Sequence, residues 1–262
     1  MNILEKIIQH KKAEVAGNKR LVSMDALQQQ AGFNRQTLSL RSFLQDESKT
    51  GIIAEFKRRS PSKGIINGEA DVLEVTTAYT NNGASCLSIL TDTVFFGGSV
   101  DDLARARINP VPILRKDFII DRYQLAEAKA MGADVILLIA ACLSPEMVQE
   151  LAFFAKSLNL EVLLEIHTEQ ELQHICYDVD FVGVNNRDLK TFAVDINRSI
   201  ELSKQIPAGK MKIAESGIRD IEALRIFKEA GFSGFLMGEH FMKSVDPGEA
   251  FKQFVQDLKI RS

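Results

Sequence analysis

From residue 51 onward the chain alternates between short, continuously apolar runs and longer stretches with helical spacing. Eight apolar runs stand out: GIIAEF, CLSIL, VPILRK, DVILLIAA, EVLLEI, FVGVNN, MKIAES and GFLMG. Ile, Leu and Val fall on consecutive positions in them rather than alternating with polar residues. That pattern suits strands covered on both faces, as in a parallel sheet. Between the runs, helical period marks 71–79, 101–107, 123–131, 145–158, 169–175, 196–204, 221–230 and 247–258. Several of these open on a Ser, Thr or Asp cap and close near Gly or Asn, as at Asn82-Gly83, Gly132 and Gly231. Ser144-Pro145 sets a capping oxygen just before a Pro at the first helical position.

Eight strand–helix units over about 210 residues predict an α/β fold, a (β/α)8 TIM barrel. A doubly wound sheet needs fewer strands and commonly carries a glycine-rich loop after the first. Here that loop, KRRSPSKG, has one glycine. Residues 1–50 carry helix-like stretches at 3–16, 24–30 and 38–45. They are too few to bury a core of their own. They are therefore expected to form an N-terminal helical extension packed on the 51–262 barrel, giving a single domain over 1–262.

Composition narrows the function classes. The chain is 45% hydrophobic and 26% charged, which is too apolar for a disordered protein. Its 32 basic and 35 acidic residues leave a net charge of −3, which gives no reason to expect nucleic acid or anionic membrane as a partner. The N-terminus reads as an amphipathic helix rather than a signal peptide. The longest apolar run, 135–142, is far short of the roughly 20 residues that span a bilayer. A cytoplasmic protein is expected, with a monomer as the default oligomeric state. Cys86, Cys142 and Cys176 are far apart in apolar segments and are expected to be buried, reduced thiols. His10, His167, His174 and His240 are scattered with no metal-ligand spacing, so no catalytic metal is expected. There is no Trp, against 16 Phe and 3 Tyr.

In such barrels the active site lies at the C-terminal ends of the strands. The first predicted strand ends in Glu55 and Lys57, the third in Lys116 and Asp117, and the fifth in Glu165. The sixth ends in Asn185, Asn186 and Arg187, the seventh in Glu215 and Ser216, and the eighth in Gly238 and Glu239. Glu55 and Lys57 are two apart, so their side chains share one side of the strand. Glu55, Lys57, Lys116 and Glu165 converging in a barrel mouth would form an acid–base set tuned by proximity and burial. Barrels often bind phosphate in the loops after strands seven and eight. Ser216-Gly217 and Gly238-Glu239 occupy those positions, and their glycines let a ligand approach the backbone closely.

At these residues the sequence resembles the indole-3-glycerol phosphate synthase family of tryptophan biosynthesis. The segments that carry the resemblance are IIAEFKRRSPSKG, SILTDTVFFGGS, PILRKDFIID, LLEIHTEQEL, VGVNNRDLKTF, IAESGI and GFLMGEHFM. It spans essentially the whole chain, at the length of a monofunctional enzyme. It implies a cofactor-independent carboxy-lyase that closes, decarboxylates and dehydrates 1-(2-carboxyphenylamino)-1-deoxyribulose 5-phosphate. On the family pattern Lys116 activates the substrate carbonyl. Glu165 and Lys57 exchange protons in the later steps, supported by Glu55. Asn185 and Ser216 are polar active-site positions, with Glu215 and Arg187 as orienting groups. Ser60 falls near the anthranilate carboxylate, and Phe96 and Phe118 cover its ring. Phosphate would rest on the backbone of Gly217, Gly238 and Glu239. Many members have Ser where Glu239 stands, so its carboxylate should point away from the phosphate. Two alternatives predict other residues. A phosphoribosylanthranilate isomerase would show a Cys base near the first strand. A catalytically dead barrel would lack one of Lys57, Lys116 or Glu165.

Overall fold

A computed structural model describes residues 2–187 and 194–261. Eight parallel strands close into one barrel: β1 (Ile52–Phe56), β2 (Cys86–Leu90), β3 (Ile113–Lys116), β4 (Val135–Ile139), β5 (Glu161–Ile166), β6 (Phe181–Asn185), β7 (Met211–Glu215) and β8 (Gly234–Met237). Each pairs with its neighbours in sequence, and β8 closes on β1 through Ile52↔Phe235 to Ala54↔Met237. The eight apolar runs and the eight strands coincide. Strand alternation explains why the runs are continuous: one set of residues packs outward on the helices, the other fills the lumen. Ile53, Cys86, Leu114, Leu137, Leu163 and Ile213 belong to the inner cluster.

Helices cover the outside, among them Val72–Asn81, Arg122–Met131, Pro145–Ser157 and Pro247–Arg261. The fifth connection differs from expectation. It forms a 3₁₀ helix, Glu169–His174, whose Glu171 folds back on the backbone N–H groups of His167 and Thr168. A two-stranded ribbon, Arg59–Ser60 with Gly64–Ile65, and a short helix, Thr93–Phe96, were not signalled by the hydrophobic pattern. Both lie in loops at the barrel mouth. Cys86 is buried as expected, while Cys142 and Cys176 are only half-buried; all three thiols are free. Among the described residues no helix is long and apolar enough to cross a membrane.

The N-terminal helices α1 (Ile3–Leu21), α2 (Met24–Gln28) and α3 (Leu40–Gln45) wrap the barrel from mouth to floor. Helix α1 runs past Gly17, an apparent stop, because Arg122–Met131 grips its end. The Tyr123 hydroxyl donates to the Val22 carbonyl at 2.9 Å, and Asn18 donates to Glu127 at 3.1 Å. At the floor, fully buried Leu40 joins the lumen cluster. Its backbone N–H donates to Glu161 at 2.6 Å. Buried Asp134 accepts from Arg35 at 2.6 Å and from the N–H groups of Leu38 and Ile113 at 2.8 Å each.

Near the mouth, Lys11 of α1 has no solvent exposure. Its Nζ lies 3.0 Å from Asp92, 2.9 Å from Asp117 and 3.0 Å from Glu14. Burial opposes the charge on Asp117, but Arg115 and Lys11 outweigh it and lower the carboxyl to about 2. Stability from this carboxylate is complete above its unfolded pKa, near 3.9, and is lost as pH falls through about 2. Lys11→Met removes the ammonium shared by two buried carboxylates, Asp92 and Asp117, and should cost about 3 kcal/mol at pH 7 in urea unfolding. That deficit should shrink between about pH 4 and pH 2 as Asp117 takes a proton. An unchanged unfolding midpoint at pH 7 would contradict it.

Candidate active site

The uppermost inward-facing positions of the barrel break the apolar rule of the lumen. Glu55, Lys116, Glu165, Asn185 and Glu215 stand there in place of aliphatic residues, and Lys57 follows just past β1. They line a cleft of about 1150 Å³ at the C-terminal mouth. Register aligns them: Glu215 pairs with Asn185 across β7 and β6, and Glu165 lies opposite Gly183 of β6. Gly183 has a steric purpose, since a Cβ there would overlap the Glu215 carboxylate.

The charges form two pairs. Lys116 Nζ lies 3.4 Å from Glu165 Oε2, and Lys57 Nζ donates to Glu55 Oε1 at 2.6 Å. Asn185 donates its side-chain N–H to Glu165 Oε1 at 3.0 Å, so both oxygens of Glu165 are engaged. Burial is the largest influence on each member of the Lys116–Glu165 pair and opposes its charge, but the attractions around them together outweigh it. Lys116, His167 and Asn185 hold Glu165 well below the usual carboxylate range, and Glu165, Glu215 and Glu55 hold Lys116 above the usual lysine range. Glu215 goes the other way. Burial, and then the charge of Glu165, push it well above the usual carboxylate range, which favours its protonated form. The mouth thus sets an ammonium and a carboxylate that favour their charged forms beside a carboxyl that favours its neutral form.

One wall of the cleft is aromatic. Phe96 and Phe118 face each other with ring centroids 5.9 Å apart. Asp92 holds the Phe96 turn by accepting from the N–H of Phe95 at 2.7 Å, and Asp117 accepts from the N–H of Phe118 at 2.8 Å. Asp117 itself serves Lys11 and Arg115 rather than the charged layer. Ser60 is buried in the β1 loop, 3.4 Å from the Ser62 hydroxyl.

The opposite wall is glycine-rich backbone. Ser216 and Gly217 both have left-handed conformations, φ 65° and 75°. Such a φ is uncommon for a residue with a Cβ and marks a held, strained turn. Asn186 fixes it by donating to the Ser216 carbonyl at 2.7 Å. Gly238 packs so closely on Glu55 that no Cβ fits between them. The Glu239 carboxylate is engaged by Arg187 at 3.1 Å and Lys243 at 2.6 Å. Those two cations overcome burial and lower it to about 2.

All fourteen residues singled out from the sequence border this one cleft. The LKTF end of the sixth-strand motif, with Asp188 before it, lies outside the described residues. Some lining residues were missed. Asn2, Ile3, Leu4 and Ile7 of the extension reach the cleft, and no hydrophobic pattern announces that contact. His167 was dismissed with the other histidines. Its signal was there: it follows Glu165 by two positions and so shares its side of the chain.

A family model for indole-3-glycerol phosphate synthase matches residues 4–254. The chain is 49% identical over 259 residues to the indole-3-glycerol phosphate synthase of Bacteroides thetaiotaomicron, covering 98% of this chain and 99% of that one. It is 40% identical over 259 residues to that of Bordetella pertussis, covering 97% and 99%. Among solved structures it resembles an orotidine 5'-phosphate decarboxylase from Pyrococcus horikoshii with a TM-score of 0.57 at 13% identity, over 71% of this chain and 92% of that one. A structure titled native KDPGal gives 0.60 at 15% identity, over 82% and 95%. At those identities the likeness speaks to the barrel alone. With nearly its whole length matched, this chain belongs to the indole-3-glycerol phosphate synthase family.

Proposed function

We infer that the protein converts 1-(2-carboxyphenylamino)-1-deoxyribulose 5-phosphate into indole-3-glycerol phosphate, CO2 and water. The observation that carries this reading is the partly buried Lys116–Glu165 pair, set between an aromatic wall and a glycine-rich backbone wall. The substrate has matching parts: an aromatic acid at one end, a phosphate at the other, and a carbonyl between them.

In this reading the ring lies against Phe96 and Phe118, with its carboxylate near Ser60. The phosphate rests on the backbone of Gly217, Gly238 and Glu239. Glu239 can border it because Arg187 and Lys243 already hold its carboxylate. The carbonyl oxygen then meets Lys116. The ammonium donates to that oxygen as the ring carbon attacks, so the oxygen becomes a hydroxyl and the nitrogen becomes an iminium. The fixed carboxylate of Glu165 offsets that positive charge. The C–CO2 bond breaks next. Its electrons pass into the ring and neutralise the iminium, so no cofactor is required. Finally the hydroxyl leaves as water and a ring proton departs. Lys57 with Glu55 supplies a second proton-exchanging pair for that step, 2.6 Å apart. Ser216 and Asn185 keep the surrounding polar groups in place. In the same reading residues 1–262 act as one domain, because α1 reaches the mouth and Leu40 fills the floor.

The absence of Trp makes the test direct. Indole product should emit over only the weak background of Tyr79, Tyr123 and Tyr177. Purified protein at micromolar concentration should produce that emission from the carboxyphenylamino substrate; a flat trace would reject the reading. Lys116→Ala should lower kcat by about 10²–10⁴-fold with unchanged far-UV circular dichroism. Near-normal turnover would remove Lys116 from the ring-closing role. Gly183→Ala leaves every charged group present but displaces Glu215. It should cost about 100-fold in kcat, as small misplacements of catalytic groups do. A kcat within twofold of normal would show that the position of Glu215 does not matter.

A further inference from the structure

The reaction above accounts for one side of Glu165. The other side faces a group it leaves unused. His167 is buried at the edge of the cleft, with its side chain 8% exposed. Its Nε2 lies 3.2 Å from Glu165 Oε1, and its Nδ1 lies 3.7 Å from Glu171 Oε2. Glu171 is itself anchored, since its carboxylate accepts from the backbone N–H groups of His167 and Thr168. Nearby His174 is a useful contrast: both of its ring nitrogens face backbone carbonyls, those of Glu171 and Leu143. His167 instead faces carboxylates on both edges, which is the setting that favours a charged ring.

We propose that His167 is a positioning residue, an imidazolium held between Glu165 and Glu171 that keeps Glu165 ionised and its Oε2 turned toward Lys116. The proposal rests on the reaction assigned above. Geometry supports the division of labour at Glu165. Oε1 takes the His167 and Asn185 contacts, at 3.2 and 3.0 Å, and Oε2 is left for Lys116 at 3.4 Å. Without the imidazolium, the Asn185 amide alone would hold Oε1.

The surrounding charges agree. Glu165 on β5 and Glu171 on the following turn attract a proton to the ring, Lys116 on β3 opposes it, and Glu215 on β7 is neutral while it keeps its proton. Asn185 on β6 carries no charge. The Cys142 thiol, raised to about 12 by burial and then by Glu165 and Glu171, stays neutral as well. Burial lowers the His167 pKa, but the contacts with Glu165 and Glu171 overcome it and raise it to about 10. The ring therefore stays charged across the neutral range and loses its proton only as pH rises through about 10.

The test pairs kinetics with a readout that needs no turnover. His167→Leu should lower kcat by about 10–100-fold with KM changed less than threefold. It should also move the acidic limb of the kcat/KM profile to higher pH, because Glu165 loses a cation that favours its charged form. His167→Gln, which keeps a donor without a charge, should recover part of kcat but leave the limb displaced. It also carries the measurement if the Leu variant does not fold. A purely structural role would lower the melting temperature and leave that limb in place. In parallel, the imidazole proton resonance of His167 is titrated in wild type, Glu165→Gln and Glu171→Gln, and is assigned by its loss in His167→Leu. Its midpoint should lie well above 7 in wild type and fall in both variants. An ordinary midpoint near 6.5, or variants with wild-type kcat and an unmoved limb, would overturn the proposal. An inactive wild type would instead overturn the assigned reaction, and the titration would still decide the state of His167.

Discussion

Everything at the mouth of this barrel follows from the need to neutralise charge where water is scarce. Closing eight parallel strands creates a lumen that only side chains can fill, and for most of its height aliphatic residues fill it. At the top layer, three carboxylates, Glu55, Glu165 and Glu215, meet two ammonium groups, Lys57 and Lys116. Unpaired buried charge is costly. The count leaves one carboxylate in excess, and burial with the charge of Glu165 shifts Glu215 toward its protonated form. The charge states that the proposed reaction uses are thus the ones this burial already favours.

The same constraint shapes the supports around the layer. Gly183 is bare because Glu215 occupies the space of its side chain, and Gly238 is bare because Glu55 does. Lys11 reaches in from the N-terminal helix to Asp92 and Asp117, the carboxylates that hold the two phenylalanine turns. The aromatic wall and the extension are therefore mechanically joined. A barrel with bare loops at its mouth would have the same strands without this fixed geometry.

Much of this was legible along the chain. The eight apolar runs locate the strands because a strand buried on both faces must be apolar at consecutive positions. The polar residues that end those runs locate the mouth because strand direction is uniform in a (β/α)8 barrel. Less legible were the short 3₁₀ turn after β5, the two-stranded ribbon and the Thr93–Phe96 helix. The ribbon and the Thr93–Phe96 helix span too few residues for a period to register, while the turn after β5 shows a helical period over 169–175 and owes its 3₁₀ form to contacts such as those of Glu171.

By itself, then, the sequence determined the strand count, the fold and the membership of the charged layer, all of which depend on local period and strand direction. Tertiary structure alone decided which charges pair. It set Lys116 against Glu165 and Lys57 against Glu55, turned the Glu239 carboxylate to Arg187 and Lys243, and brought His167 beside Glu165. It also brought Lys11, more than a hundred residues away in sequence, against Asp117. Protonation states depend on burial and on neighbours distant in sequence, so these features appear only when the barrel closes.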